Sequence, residues 1–275
     1  MKCRVALGAA LGVLGLAAVA PSAGARNIHQ LECDVSETIP ALAGMLDRFS
    51  GRLARGETVT VLAIGSSSTQ GVGASSDAFS YPRRLEAELR TLLPQARIKV
   101  LNHGIGGEDA REMIARMQGE LRAASPDLVL WQVGTNALLR DDGIDHEAPI
   151  IREGLRQIRD FGADVVLIDP QYAPKVLRDP DARPMVQLLS RLATEFKVPV
   201  FHRFALMEHW HQNLGIAFAE TLSPDLFHMN DWSYGCFAKN LAHALVPVAT
   251  QRAAERRSAP TDAANTTVVP ASIAR

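Results

Sequence analysis

The 275-residue sequence predicts an α/β protein of three layers, with helices on both faces of a five-stranded parallel sheet in flavodoxin-like order. Five short apolar runs, mostly β-branched, read as buried strands: Val59 to Ile64, Arg97 to Asn102, Asp127 to Val133, Ala163 to Ile168 and Val198 to His202. Each gap between them carries helical spacing and is too long for a hairpin. The loops after the first three runs hold the Gly, Ser and Asn residues that a site at the strand carboxyl ends would need.

The elements follow in chain order. Residues 39–55 have the spacing of an amphipathic helix ahead of the first strand. Val59 to Ile64, interrupted only by Thr60, opens into Gly65-Ser66-Ser67-Ser68-Thr69-Gln70-Gly71, a turn in which a serine could be a nucleophile. Leu85, Leu89 and Leu92 with Leu93 line one face of the first intervening helix, and Met113, Met117 and Leu121 line the second. Ile151, Leu155, Ile158 and Arg159 mark a third helix, ended by Gly162. The last helix spans 232–249, and the Ala-, Arg-, Thr- and Pro-rich tail 251–275 lacks an apolar period and is expected to be disordered. No internal repeat or second domain is visible, so 58–250 reads as one domain preceded by a segment and helix over 26–57.

Residues 1–25 stand apart. Lys2 and Arg4 precede an apolar stretch from Val5 to Ala20, and Ala23-Gly24-Ala25 supplies the small residues of a cleavage site. The stretch is short for a membrane span, so a signal peptide cleaved after Ala25 is expected, with the product secreted or periplasmic and without a stable membrane anchor. Cys3 leaves with this segment. Cys33 and Cys236 remain, and in an oxidising compartment they read equally as a disulfide or as two isolated thiols. A formal charge of −1 gives no basic footprint for nucleic acid or an anionic membrane surface.

Polar residues gather after the strands. Asn102-His103-Gly104-Ile105-Gly106-Gly107-Glu108-Asp109 follows the second, and Gly134-Thr135-Asn136 follows the third. Glycine lets backbone approach a substrate and Asn136 offers an amide donor, as a developing oxyanion requires. Asp225-Leu226-Phe227-His228 sets an acid three residues before a histidine, ahead of the last helix. Ser66 and Ser68 are rivals to Ser67. Glu208 with His211 repeats the Asp225–His228 spacing, and His103 and Asp109 are alternatively caps of the second loop. Gly104-x-Gly106 is followed at once by Gly107, so the dinucleotide fingerprint fails. His202, His209 and His211 lack a usual zinc spacing, so no metal is expected.

Taken in order, the four segments resemble the SGNH hydrolase family, the GDSL esterases and lipases, over roughly residues 58–245. The resemblance implies the SGNH hydrolase fold, Ser67 as nucleophile, His228 as base and Asp225 as its orienting acid. It further implies an oxyanion hole of the Ser67 and Gly107 N–H groups and the Asn136 amide, with no cofactor. The family's usual aspartate before the nucleophile is Ser66 here, and the usual aliphatic residue after it is Ser68. The chemistry implied is hydrolysis of a small acyl ester, a carbohydrate O-acetyl group or a short-chain ester. Transfer of the acyl group to a sugar hydroxyl, a lysophospholipase and a silent carbohydrate-binding module are the alternatives. Tyr172, Trp210 and Trp232 are candidate aromatic contacts to substrate, with core packing as the competing reading.

Overall fold

The computed structural model describes Cys33, Leu42 and residues 46–140 and 143–258, with side chains as far as Pro247. Strands β1 (Thr58–Gly65), β2 (Arg97–Gly104), β3 (Leu128–Gln132), β4 (Asp164–Ile168) and β5 (Val200–Phe201) form one sheet in the order β2-β1-β3-β4-β5. Every pairing is parallel. This is the flavodoxin-like order, in which the chain runs to one edge and returns across β1 to the other, opening a crevice where the direction changes. Gly65 pairs with Gly104 and Ile64 with Trp131, so the loops after β1, β2 and β3 leave the sheet side by side.

Helices α1 (Asp47–Ala54), α3 (Tyr81–Leu92) and α11 (Asp231–Ser258) pack together, as do α4 (Ala110–Ala124), α6 (Ile144–Phe161) and α8 (Ala182–Phe196). The short α2 (Ser67–Gln70), α5 (Thr135–Arg140), α7 (Pro174–Leu177) and α10 (Phe218–Thr221), with α9 (Arg203–Gln212), complete the chain. Leu85 and Leu89, Met113, Met117 and Leu121, and Ile151, Leu155 and Ile158 are all buried, as their spacing requires. Arg159 is not on that face: it is exposed and pairs with Asp160.

Three boundaries differ from expectation. β5 is reduced to two residues because Pro199, inside the run 198–202, has no N–H to give a ladder. α1 begins at Asp47, and most of 39–45 lies outside the described residues. α11 continues to Ser258, beyond position 251 where the tail was expected to begin. The expected signal peptide at 1–25 and the rest of the tail, 259–275, lie outside the described residues. Among the described residues no helix is long and apolar enough to cross a membrane.

Cys33 and Cys236 are joined, with 5.3 Å between their Cα atoms and 203 positions between them in sequence. The bond ties the segment ahead of α1 to the buried face of α11, where Tyr234, Phe237, Leu241 and Leu245 pack. Closing so long a loop restricts the unfolded chain by about 3–5 kcal/mol. Reduction, or Cys236→Ser, should therefore lower the melting temperature by roughly 6–20 °C. A melting curve unmoved by reductant would contradict a stabilising role for the bond.

Candidate active site

The turn after β1 leaves one serine accessible. Ser66 and Ser68 are each 2% exposed, whereas Ser67, the first residue of α2, is half-buried. Ser66 is held through its N–H and its hydroxyl, which donate to Gln132 Oε1 at 3.0 and 3.1 Å. Ser68 is buried on the side of Tyr234, whose hydroxyl donates to the Val72 carbonyl at 2.7 Å. A Cβ on Gly65 would lie 2.1 Å from Thr69 Oγ1, and one on Gly104 would lie 2.1 Å from the Gln70 nitrogen. Only glycine lets α2 fold back so closely on the two strand ends.

Asp225 and His228 share a tight loop. Leu222 bridges Met229 in antiparallel fashion, and the Ser223 N–H donates to the His228 carbonyl at 2.8 Å. Leu226 occupies the left-handed region at φ +52°, a strain of about 1 kcal/mol for a γ-branched side chain. Within the loop Asp225 Oδ1 accepts from Ser223 Oγ at 2.6 Å and from the Phe227 and His228 N–H groups, each at 3.0 Å. Its Oδ2 lies 2.5 Å from His228 Nδ1, and His228 Nε2 lies 2.8 Å from Ser67 Oγ, across 161 positions of sequence. A carboxylate only accepts, so Nδ1 carries the proton and Nε2 is left to accept from Ser67. Partial burial pushes the Asp225 carboxyl up, but the Ser223 and His228 side chains and the two N–H groups outweigh it. They hold the acid below the usual carboxylate range.

The glycine loop closes against this pair from β2. The Ile105 N–H donates to the Gly65 carbonyl at 3.0 Å, and a Cβ on Gly106 would stand 3.9 Å from Ser67 Cβ. Gly107 follows at φ +84°. Asn136, on α5 and 8% exposed, donates one amide hydrogen to the Glu108 carbonyl at 2.7 Å, which leaves its second hydrogen uncommitted. Among the described residues neither the Ser67 nor the Gly107 N–H finds an acceptor. The loop is braced by two arginines: Arg140 donates to the Gly107 carbonyl at 2.6 Å and pairs with Asp109, while Arg116 grips both Glu108 oxygens and the His103 carbonyl. Asp109 caps α4 through a reciprocal bond with Glu112. His103 faces Glu120 at 2.5 Å.

The aromatic candidates divide. Tyr172 is 6% exposed, packs on Phe204 and Phe218, and accepts from Gln212 at 2.9 Å; Trp210 is 2% exposed and meets Trp232 edge-on. Tyr172 and Trp210 are thus core residues, with almost no ring surface for a substrate, because the long connections around α9 fold into an aromatic cluster of their own. Trp232 is half-buried. Glu208 pairs with Arg183 and His211 bonds the Ile216 carbonyl, so these two form no second dyad. His202 pairs with the buried Asp169 at 3.0 Å, whose bond raises its pKa. Among the described residues no three His, Cys, Asp or Glu side chains are grouped to hold a metal.

Several supporting residues have no motif to announce them. Arg203 is fully buried, donates to the Asp169 carbonyl at 3.0 Å and to Gln171 Oε1 at 2.9 Å, and burial lowers its pKa to about 10. Gln171 Oε1 also accepts from Thr135, the neighbour of Asn136, so the loop after β4 is tied to α5. For Gln132 a signal did exist, as the one amide in the apolar run 128–133.

A model of the non-GDSL lipase-like family matches residues 32–251. Comparison with curated proteins gives no match. Among solved structures, a two-domain esterase (CEX) active on acetylated mannans, crystallised with mannopentaose, is 24% identical with a TM-score of 0.64. That alignment covers 77% of this chain and 56% of the esterase, so the chain spans little more than half of the larger protein. A peptidoglycan O-acetylesterase matches at TM-score 0.62 and 16% identity, over 76% of this chain and 99% of the other. An acetyl xylan esterase from Geobacillus stearothermophilus, a variant of Axe2, matches at 0.56 and 21%, over 70% and 94%. At these identities the likeness is one of fold.

Proposed function

The chain belongs to the non-GDSL lipase-like family, of SGNH hydrolase type, and on that premise we propose that it is an exported serine esterase that removes small acyl groups from carbohydrate esters. The observation that carries the reading is the unbroken line from Asp225 through His228 to Ser67. His228 Nε2 takes the Ser67 proton as Oγ attacks the ester carbonyl; the imidazolium then gives that proton to the departing sugar oxygen, leaving an acyl-enzyme. Water, deprotonated by His228, attacks the acyl carbonyl; Ser67 regains the proton and the carboxylic acid is released. The Ser67 and Gly107 N–H groups and the free hydrogen of Asn136 supply three donors for the oxyanion of both tetrahedral intermediates.

The substrate class draws support from the three structural neighbours, whose names all speak of acetylated polysaccharide or peptidoglycan. Export draws support from Lys2, Arg4 and the apolar run to Ala20. N-terminal sequencing of the exported protein should begin near Arg26.

The direct test is turnover of a short-chain nitrophenyl ester, together with mass spectrometry after a serine-reactive phosphonate. Label on the peptide containing Ser67 is expected, and a folded protein that neither turns over nor labels would defeat the reading. Asp225→Ala should cost less than loss of the nucleophile or base, leaving roughly 10- to 100-fold more activity than either, since an unanchored imidazole still samples the working tautomer. Steady-state kinetics of the three variants side by side decides the order.

A further inference from the structure

We propose that Gln132 is a positioning residue for the nucleophile, acting through the two residues that bracket Ser67. The inference rests on the serine-esterase reading above and concerns how Ser67 is aimed. Gln132 ends β3 and is 1% exposed. Its Oε1 accepts the Ser66 N–H at 3.0 Å, the Ser66 hydroxyl at 3.1 Å and the Thr69 hydroxyl at 3.2 Å. A single carbonyl oxygen with two lone pairs thus serves three donors, one residue before Ser67 and two residues after it. Among the described residues Ser67 Oγ has no comparable anchor, and its partner is His228 Nε2.

The arrangement fits no ordinary packing role. The Thr69 hydroxyl also lies 3.3 Å from the Tyr81 hydroxyl, so a Tyr81 proton can be accepted at Thr69 while Thr69 donates onward to Gln132. A Cβ on Gly65 would stand 2.8 Å from Gln132 Oε1, so the strand residue ahead of the turn has to lack a side chain for the amide to reach in. Gln132 also stands four residues before Asn136. The same strand end therefore sets the nucleophile turn and the start of α5, and with them the span between Ser67 Oγ and the Asn136 amide. The chemistry at position 66 is matched to this: the serine N–H and hydroxyl both donate to the amide oxygen, which an ionised aspartate side chain could not do.

The test uses the full chain with Gln132→Met, which keeps length but removes the acceptor, and Gln132→Glu, which keeps an acceptor oxygen. Phosphonate labelling rate and kcat/KM are measured per folded molecule, with the folded fraction taken from circular dichroism well below the melting temperature. Gln132→Met should lower both rates together by about 10- to 100-fold, the scale expected when buried donors lose their partner and a reacting atom drifts by a fraction of an ångström. KM should change less than about 3-fold, since the acyl and sugar contacts are untouched. Gln132→Glu should recover most of the loss.

If Gln132→Met does not fold, the double variant Ser66→Ala with Thr69→Val removes the hydroxyl donors instead and should slow labelling in the same way. A folded Gln132→Met, or that double variant, labelling at the wild-type rate would overturn the proposal. So would a Gln132→Glu protein as slow as Gln132→Met. Failure of the esterase reading is distinguishable, because the wild-type protein itself would then neither label nor turn over.

Discussion

Ser67→Ala and His228→Ala should each lower kcat by about 10⁴-fold or more, leaving only what substrate binding and the oxyanion donors provide. Each removes a partner of the 2.8 Å contact between Nε2 and Oγ, and among the described residues the rival serines and His211 are held elsewhere. Ser68 is buried against Tyr234, and His211 is turned to the Ile216 carbonyl. Ser66→Ala deletes one of the three donors on Gln132 and leaves the other two, so activity should stay within about 10-fold of wild type. Ser68→Ala and His211→Ala should likewise retain substantial activity. Kinetics on the five folded variants settles the assignment. An inactive Ser66→Ala or Ser68→Ala protein beside an active Ser67→Ala protein would move the nucleophile and the register of the whole first block.

Asn136→Ala should lower kcat by about 10²- to 10³-fold with little change in KM, the signature of a donor that acts on the transition state. The geometry makes the expectation sharper. One hydrogen of the amide already holds the Glu108 carbonyl at 2.7 Å, so the side chain is oriented before substrate arrives and its second hydrogen needs no reorganisation. Losing it also frees Glu108 from α5, although Arg116 continues to hold the Glu108 carboxylate and Arg140 the Gly107 carbonyl. Because those clamps remain, the loop should stay in place and the loss should appear in kcat. A raised KM with unchanged kcat would mean that Asn136 binds substrate and does not serve the oxyanion.

Much of this architecture could be read from periodicity, and the exceptions have identifiable causes. The runs at 59–64, 127–133 and 163–168 form strands because both faces of a covered parallel sheet are apolar, whereas 97–102, at the sheet edge, alternates buried Ile98 and Val100 with exposed Arg97 and Lys99. The run at 198–202 shrank to two residues because a proline inside it cannot join a ladder. Arg159 was misplaced by a single helical step, which swings a side chain by about 100° and turns it from core to water. Tyr172 follows β4 in a connection and Trp210 lies within α9, yet both are buried in an aromatic cluster with Phe204, Phe218 and Trp232, where tertiary packing and not chain position decides exposure. Gln132 is marked in the sequence only as the single amide of an apolar run, and its partners on the nucleophile turn lie more than 60 positions away.

The sequence by itself determined the sheet, the family resemblance and the order of the four polar blocks at the strand carboxyl ends, because strand and helix periods are local and a parallel sheet brings successive loops to one edge. Tertiary structure alone decided which of three adjacent serines meets a histidine 161 positions away, which aromatic rings are buried, and that Cys33 reaches Cys236. The physical reason is the same in each case. Neighbouring serines are equivalent along the chain and become different only when Gln132 from β3 claims Ser66 and the core covers Ser68, leaving Ser67 half-exposed toward His228.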